Sequence, residues 1–144
     1  MGLDQFRSQA IFLDTAPIIY LIEGHEPFQA TLFNFFAAHN RGEFTLVSSV
    51  LTYLEVLVRP IRMDRWDLVD QYKQIMNNTT GFQVIEVDST IAYKAAELRA
   101  KYKLKTPDAI QISTAIEAQA HYFLTNDFRL KQIEEITIIT PAEL

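Results

Sequence analysis

The chain contains no cysteine, which excludes disulfide bonds, zinc sites built from thiolates and cysteine nucleophiles. Glycine and proline are scarce, with 4 and 5 among 144 residues, and there is no repeat, low-complexity tract or flexible linker. No apolar run approaches the roughly 20 residues that cross a bilayer, and the first ten residues lack the apolar stretch of a signal peptide. We therefore expect a cytoplasmic protein with a single compact domain over residues 1–144.

The charge balance is acidic, with a formal net charge of -5 at pH 7. A protein that binds nucleic acid by charge alone is usually basic, so a nucleic-acid partner would require another source of positive charge near its phosphates. A bound divalent metal ion supplies such a charge, because it is often the largest local charge in a site. The chain also lacks a Gly-rich phosphate loop, which argues against nucleoside triphosphate chemistry.

Short apolar strands alternate with helical patterns along the chain. Strands are predicted over residues 10–13, 44–47, 82–87 (a strand or an extended segment), 122–125 and 136–140. Helices are predicted over about 18–22, 28–39, 49–58, 64–76, 89–103, 106–120 and 128–133, with N-caps at Ser48 or Ser49, at Asp64 and at Thr106. This alternation predicts an α/β fold with a mostly parallel sheet between two layers of helices. Ligands of such sheets bind at the carboxyl ends of the strands.

Three aspartates stand where a strand ends or a helix begins. Asp14 directly follows the first predicted strand, and Asp127 lies just beyond the fourth. Asp108 lies in the first turn of a predicted helix. Each has a structural explanation when it is taken alone, as a turn residue or as a partner of the helix dipole. Together at one edge of a parallel sheet, the three would form a carboxylate cluster.

Glu55 is harder to explain by structure alone, because it shares a helix face with Leu51 and Val58. A glutamate on an apolar face is rarely buried unless it is paired or bound to metal. The alternatives are an ion pair with Arg59 at the i+4 position, or an apolar stripe that ends at this residue. Carboxylates placed together repel one another and require a cation, and their oxygens are the ligands that magnesium and manganese prefer.

The order of these acidic residues resembles that of the PIN domain. Four segments carry the resemblance, namely Leu13-Asp14-Thr15, Tyr53-Leu54-Glu55-Val56, Thr106-Pro107-Asp108-Ala109-Ile110 and Leu124-Thr125-Asn126-Asp127. The resemblance covers about residues 11–140 and is greatest for the VapC-like ribonuclease toxins of type II toxin–antitoxin pairs. It implies a three-layer α/β/α sandwich around a mostly parallel sheet. It also implies a metal-dependent endoribonuclease whose acidic residues are Asp14, Glu55, Asp108 and Asp127.

The resemblance further implies a site for Mg²⁺ or Mn²⁺. Because magnesium takes only one or two carboxylates directly, we expect Asp14 and Asp108 to be its ligands. Glu55 and Asp127 would bind through water, hold a second ion or orient the attacking water. The residues expected to support these carboxylates are Thr15, Thr125 and Asn126.

Basic residues lie close to two of the acidic positions. Lys103 and Lys105 precede Asp108, and Arg129 follows Asp127. We predict that these cations bind RNA phosphates, the alternative being an ordinary solvated surface, since Lys and Arg are mostly exposed.

Aromatic residues occupy more than one face of the predicted helix over 28–39, at Phe28, Phe33, Phe35 and Phe36. The helix is then either buried on two sides or part of a contact surface. The family resemblance implies two partners for such a surface, a small VapB-like antitoxin and a second copy of this chain in a homodimer.

Two rival functions remain at this stage. A phosphotransfer domain with Asp14 as nucleophile is disfavoured, because Asp14-Thr15-Ala16 lacks the second aspartate that haloacid-dehalogenase-like phosphatases carry two positions later. The other rival is a non-catalytic module of the same fold that binds RNA or protein. Metal binding that depends on Asp14 would distinguish the enzyme from this module.

Overall fold

The computed structural model describes residues 3–144. Its five strands are β1 (Ala10–Leu13), β2 (Thr45–Ser49), β3 (Phe82–Ile85), β4 (Tyr122–Leu124) and β5 (Thr137–Ile139). They form one sheet in the order β3-β2-β1-β4-β5, and each neighbouring pair is parallel. The carboxyl ends of all five strands therefore lie along one edge.

Six α-helices lie between the strands in the part of the chain that the structure describes. They are α1 (Thr15–Ile19), α2 (Gln29–Asn40), α3 (Val50–Arg62), α4 (Trp66–Asn78), α5 (Ser89–Tyr102) and α6 (Thr106–Glu117). A π-helical turn (Tyr20–Gly24) continues α1 without a break, and 3-10 turns cover Asp4–Phe6, Phe128–Gln132 and Pro141–Glu143. Within residues 3–144, no helix is both long and apolar enough to cross a membrane.

The sheet separates two hydrophobic cores. Alternation along β1 directs Ile11 and Leu13 to one core and Phe12 to the other. The first core contains buried residues of α1, α2, α3 and α4, and the second contains buried residues of α5 and α6. The ring of Phe12 stacks on that of Phe123 in β4, with centroids 5.0 Å apart. Helices cover both faces of a parallel sheet, as the sequence predicts.

Two predictions at the connection between α3 and α4 are wrong. Helix α3 continues to Arg62 rather than to about residue 58, and Pro60 lies buried within its last turns. Asp64 does not cap α4, because its backbone has a φ of 54° and Arg65 stands at the cap position. A side chain on such a left-handed turn is not placed to accept from the first amides of the helix.

The other predicted caps have mixed outcomes. Ser49 caps α3, because its hydroxyl oxygen accepts from the backbone N–H of Thr52 at 3.2 Å. Ser48 instead donates to the backbone carbonyl of Leu13 at 2.7 Å, so it joins two strands. Thr106 is the first residue of α6 rather than its cap, and it makes no capping bond.

Candidate active site

Asp14 lies at the carboxyl end of β1 and begins α1. Its Oδ1 accepts from the backbone N–H of Thr15 at 2.8 Å, so the carboxylate caps the helix. Its Oδ2 accepts from the hydroxyl of Thr125 at 2.8 Å. Burial raises the pKa of this carboxyl, the bonds from Thr125 and Thr15 oppose the shift, and the negative charge of Glu55 adds to it.

The strand register explains why Asp14 and Thr125 meet. Leu13 of β1 pairs with Leu124 of β4. The next residue of each strand therefore emerges at the same edge of the sheet. The backbone N–H of Asp14 donates to the carbonyl of Leu124 at 2.9 Å, and that of Thr125 donates to Ile139 at 3.0 Å. The sheet thus holds both residues through their backbones.

Glu55 approaches the same edge from α3. Its Oε1 accepts from the hydroxyl of Thr15 at 2.5 Å. This bond, rather than an ion pair with Arg59, accounts for the half-buried carboxylate on an otherwise apolar face. Thr15 thus connects Glu55 to the helix that Asp14 caps.

Asp108 and Asp127 complete a set of four carboxylates with Asp14 and Glu55, which we call the acidic group. Burial raises the pKa of Asp108, and the negative charges of Asp14 and Asp127 raise it further. Asp127 differs, because Arg129 binds both its oxygens, with Nε at 2.9 Å from Oδ1 and Nη2 at 2.6 Å from Oδ2. Those bonds hold the pKa of Asp127 below its usual range. The negative charges therefore act along a chain, from Glu55 to Asp14, from Asp14 to Asp108 and from Asp127 to Asp108.

The carboxylates are neighbours rather than a closed cage. Over residues 3–144, no three Asp, Glu or His side chains are close enough together to hold one ion. Two of the carboxylates are engaged elsewhere, Asp127 by Arg129 and Glu55 by Thr15. The donor set still fits magnesium or manganese in chemistry, since all four groups offer hard oxygen ligands. Each carboxylate has about four lone-pair directions, so these bonds leave capacity for an ion.

Of the predicted supporting residues, the two threonines contact carboxylates, whereas Asn126 does not. Thr15 and Thr125 donate directly to acidic side chains. Asn126 donates from Nδ2 to the Tyr20 hydroxyl at 2.8 Å, so it connects the site to the π-helical turn.

A buried polar group beneath the site is not evident from the sequence. Gln111 of α6 is 3% exposed, and its amide nitrogen contacts Asp14 Oδ1 at 3.4 Å. The same side chain accepts from Ser49 and donates to Thr52. Gln111 therefore joins Asp14 to the β2–α3 junction. The available signal was its place one helical turn after Asp108 on the apolar side of α6.

The predicted basic residues share a surface cleft with two of the aspartates. This cleft has a volume of about 170 Å³, and its lining includes Lys103, Lys105, Asp108, Asp127 and Arg129. Lys103 has a φ of 58° at the end of α5, so the chain turns sharply there toward α6. The turn places both lysines beside the acidic edge.

The fold is an all-parallel α/β sandwich. Its site combines carboxylates at the carboxyl edge of the sheet with basic residues in the adjoining cleft. The model of the PIN domain matches residues 11–136, and the chain therefore belongs to the PIN domain family. The fold expected from the sequence is thereby confirmed. No functionally curated protein matches this chain.

Solved structures of similar fold include VapBC2 from Rickettsia felis bound to a promoter DNA fragment, with a TM-score of 0.74, 17% identity, and coverage of 91% of this chain and 98% of that chain. A toxin–antitoxin complex from Klebsiella pneumoniae has a TM-score of 0.70, 23% identity, and coverage of 91% and 97%. VapC20 from Mycobacterium tuberculosis, a sarcin–ricin loop cleaving toxin, has a TM-score of 0.69, 16% identity, and coverage of 88% and 98%. At these identities the likeness establishes the shared fold.

Proposed function

We propose that this chain is a metal-dependent endoribonuclease that hydrolyses RNA phosphodiester bonds, and that it is the toxin of a VapBC-type toxin–antitoxin pair. The half-buried carboxylate of Asp14 carries the proposal. It lies beside other carboxylates, and its bonds come from an amide N–H, a hydroxyl and a carboxamide, all of them neutral. A carboxylate that is partly removed from water and held only by neutral donors is destabilised when no cation lies near it. A divalent ion would relieve that cost.

Asp14 and Asp108 are the residues we assign as ligands of Mg²⁺ or Mn²⁺, because burial raises the pKa of each and nearby negative charge adds to it. That charge is Glu55 for Asp14, and Asp14 with Asp127 for Asp108. When bound, the ion supplies Lewis-acid contact with the phosphate and lowers the pKa of a bound water. Thr15 holds Glu55 and Thr125 holds Asp14, so the two hydroxyls keep the carboxylates oriented before an ion binds. We assign Glu55 and Asp127 to water-mediated contacts, to a second ion or to orienting the attacking water.

The basic residues of the cleft would position the RNA. Lys103, Lys105 and Arg129 line it together with Asp108 and Asp127. Their positive charges favour a phosphate close to the acidic group, which the net charge of the whole chain would otherwise repel. We therefore assign these three residues to phosphate contacts.

The toxin assignment is supported by the similar structures, which include toxin–antitoxin complexes. An apolar groove of about 230 Å³ between α2 and α4, lined by Leu21, Phe33, Phe36 and Ile75 among others, fits the antitoxin. Phe35 and Phe36 are buried in the core, whereas Phe33 is exposed beside this groove. The exposed apolar residues of α3 and the start of α4 fit a second copy of this chain, and these are Leu54, Val58, Ile61, Met63 and Trp66.

The test is cleavage of end-labelled RNAs, including transfer RNA and a sarcin–ricin loop hairpin, with Mn²⁺ and with a chelator. We expect the unmodified protein to cleave only with metal, and Asp14→Asn to lose more than about 100-fold of the rate. Asp70→Asn, an exposed aspartate of α4, is the matched control and should retain activity. Equal cleavage by Asp14→Asn would refute the site, and no cleavage by any variant would favour the non-catalytic module. Growth arrest on induced expression that disappears in Asp14→Asn would support the toxin role.

A further inference from the structure

Three aromatic rings stack beside the acidic group. The rings of Tyr20 and His25 have centroids 4.2 Å apart and an interplanar angle of 17°. Phe28 lies nearly parallel to both, 6.0 Å from Tyr20 and 6.2 Å from His25. We call these three residues the aromatic platform. Their planes are close to parallel, so the platform presents flat faces rather than edges.

The platform is connected to the acidic group by one side chain. Asn126 donates to the Tyr20 hydroxyl at 2.8 Å, and its chain neighbour Thr125 donates to Asp14 at 2.8 Å. The same two regions are joined along the chain, because Asp14 caps the helix that continues into the π-helical turn carrying Tyr20. Six residues of helix rise correspond to roughly 9 Å. The backbone of Tyr20, at one end of the platform, is therefore close enough to Asp14 for neighbouring nucleotides of one strand to reach both.

The segment from Tyr20 to Phe28, which carries the platform, is held by two sets of hydrogen bonds. Tyr72, which is fully buried in α4, donates its hydroxyl proton to Glu23. The backbone carbonyl of His25 accepts from the N–H groups of Phe28 and Gln29 at 2.8 and 3.0 Å. A preorganised surface loses less entropy when a ligand binds. π-Helical turns also occur frequently at functional sites.

Core packing explains two of the three rings but not the third. Tyr20 and Phe28 are half-buried and pack against the first core. His25 is exposed, so its stacking on Tyr20 buries little surface and leaves a ring face open to solvent. The exposed residues beside it, Glu23 and Glu26, would repel a phosphate. The uncharged, flat part of a nucleotide is therefore the part that fits.

We propose that the aromatic platform binds a nucleobase of single-stranded RNA by stacking on His25, next to the phosphate held at the acidic group. This inference rests on the proposed function. Aromatic stacking tolerates every base, because each has a flat π-face. The platform would therefore favour unpaired over paired RNA, without strong selection of base identity.

The test is the Kd for a fluorescein-labelled eight-nucleotide single-stranded RNA, measured in the non-cleaving Asp14→Asn background. His25→Ala should weaken binding roughly 5- to 150-fold, the range for loss of one stacked base. His25→Phe keeps a flat ring and should retain binding. His25→Lys supplies a positive charge without a ring and should behave like His25→Ala. Tyr93→Ala removes an exposed aromatic residue from α5 and is the matched control, with no change expected.

An RNA with one abasic nucleotide, moved along the sequence, locates the stacked base. At one position the abasic site should weaken binding by the parent protein but not by His25→Ala, because both changes remove the same contact. In the cleaving protein, His25→Ala should raise KM and leave kcat nearly unchanged.

The outcomes separate the platform from the nuclease. Cleavage that depends on Asp14, with an unchanged KM in His25→Ala, would overturn the platform and leave the proposed function intact. Rescue by His25→Lys rather than by His25→Phe would also overturn it. RNA binding that depends on His25 in a protein that cleaves no RNA would support the platform and refute the nuclease. If no variant binds the RNA, both are refuted.

Discussion

Replacing Thr125 by valine tests whether Asp14 is a half-buried anion that hydrogen bonds stabilise. Valine has nearly the same shape as threonine but cannot donate to Asp14 Oδ2, which now accepts from the Thr125 hydroxyl at 2.8 Å. The residue is 1% exposed, so water cannot readily replace the lost donor. The same hydroxyl oxygen accepts from the backbone N–H of Asp127 at 3.1 Å, and that bond is lost as well.

A hydrogen bond to a charged group contributes about 1.5–3 kcal/mol. We therefore expect Thr125→Val to lower the unfolding free energy by about 2 kcal/mol at pH 7 without metal, which for a chain of this size is about 4–8 °C in Tm. Urea or thermal unfolding in chelator-containing buffer measures this. Thr125→Ser keeps the hydroxyl and is the matched control, which should lose clearly less.

The loss of unfolding free energy in Thr125→Val should depend on pH, because the protonation of Asp14 determines whether it rises or falls. Burial raises the pKa of Asp14, and the Thr125 hydroxyl partly offsets that shift. Without this hydroxyl the folded-state pKa rises further, so the variant binds a proton more tightly than the unmodified protein. The stability difference therefore grows as pH rises through the two folded-state pKa values, is complete above both, and shrinks below them as Asp14 becomes neutral. A stability difference that is absent at pH 7, or that does not change with pH, would refute the argument that hydrogen bonds stabilise the Asp14 anion.

Two further predictions concern the backbone and the basic cleft. Gly81→Ala should destabilise the protein by more than about 1–2 kcal/mol, because its φ is +77° and a Cβ would lie 3.1 Å from the buried His39 ring. Gly42→Ala is the control, because its φ is +80° but a Cβ there would have nothing within 4 Å. Urea titration of both variants therefore separates the cost of the backbone conformation from the cost of the contact with His39. Charge reversal at both Lys103 and Lys105 should weaken RNA binding and lower the slope of log Kd against log salt by about 2, and unchanged binding would refute the cleft as a phosphate site.

Much of the fold could be predicted from the sequence because its signals are local. The apolar strands are short and bounded by polar residues, and their alternation with helices requires a parallel sheet. Errors occurred where local signals compete. Asp64 is a favoured cap residue by type, yet it adopts a left-handed conformation and leaves the cap to Arg65. Helix α3 runs past the predicted end to Arg62. Pro60 lies in its last turn, where the proline is tolerated and its ring is buried.

The site was predictable only in part, because its supporting contacts join distant parts of the chain. The sequence shows the order and spacing of the four acidic residues, which are Asp14, Glu55, Asp108 and Asp127. Gln111 contacts groups that are 59, 62 and 97 residues away in sequence, so its place one turn after Asp108 does not by itself reveal these partners. Likewise the bond from Asn126 to Tyr20 spans 106 residues. Such contacts follow from strand order, which the sequence leaves open.

The opposite shifts of the aspartates divide the acidic group into two parts. Burial raises the pKa of Asp14 and of Asp108, whereas Arg129 lowers that of Asp127. Groups whose environments move their pKa values apart are suited to different roles. The charge of Asp127 is already neutralised by the guanidinium of Arg129. A metal ion would therefore be bound most favourably beside Asp14 and Asp108, where it relieves the repulsion between two carboxylates. Arg129 is 71% exposed and lies in the same cleft as the lysines, where it can also meet a phosphate. The proposed metal therefore belongs on the buried side of the group, and the proposed RNA backbone on the Asp127 side.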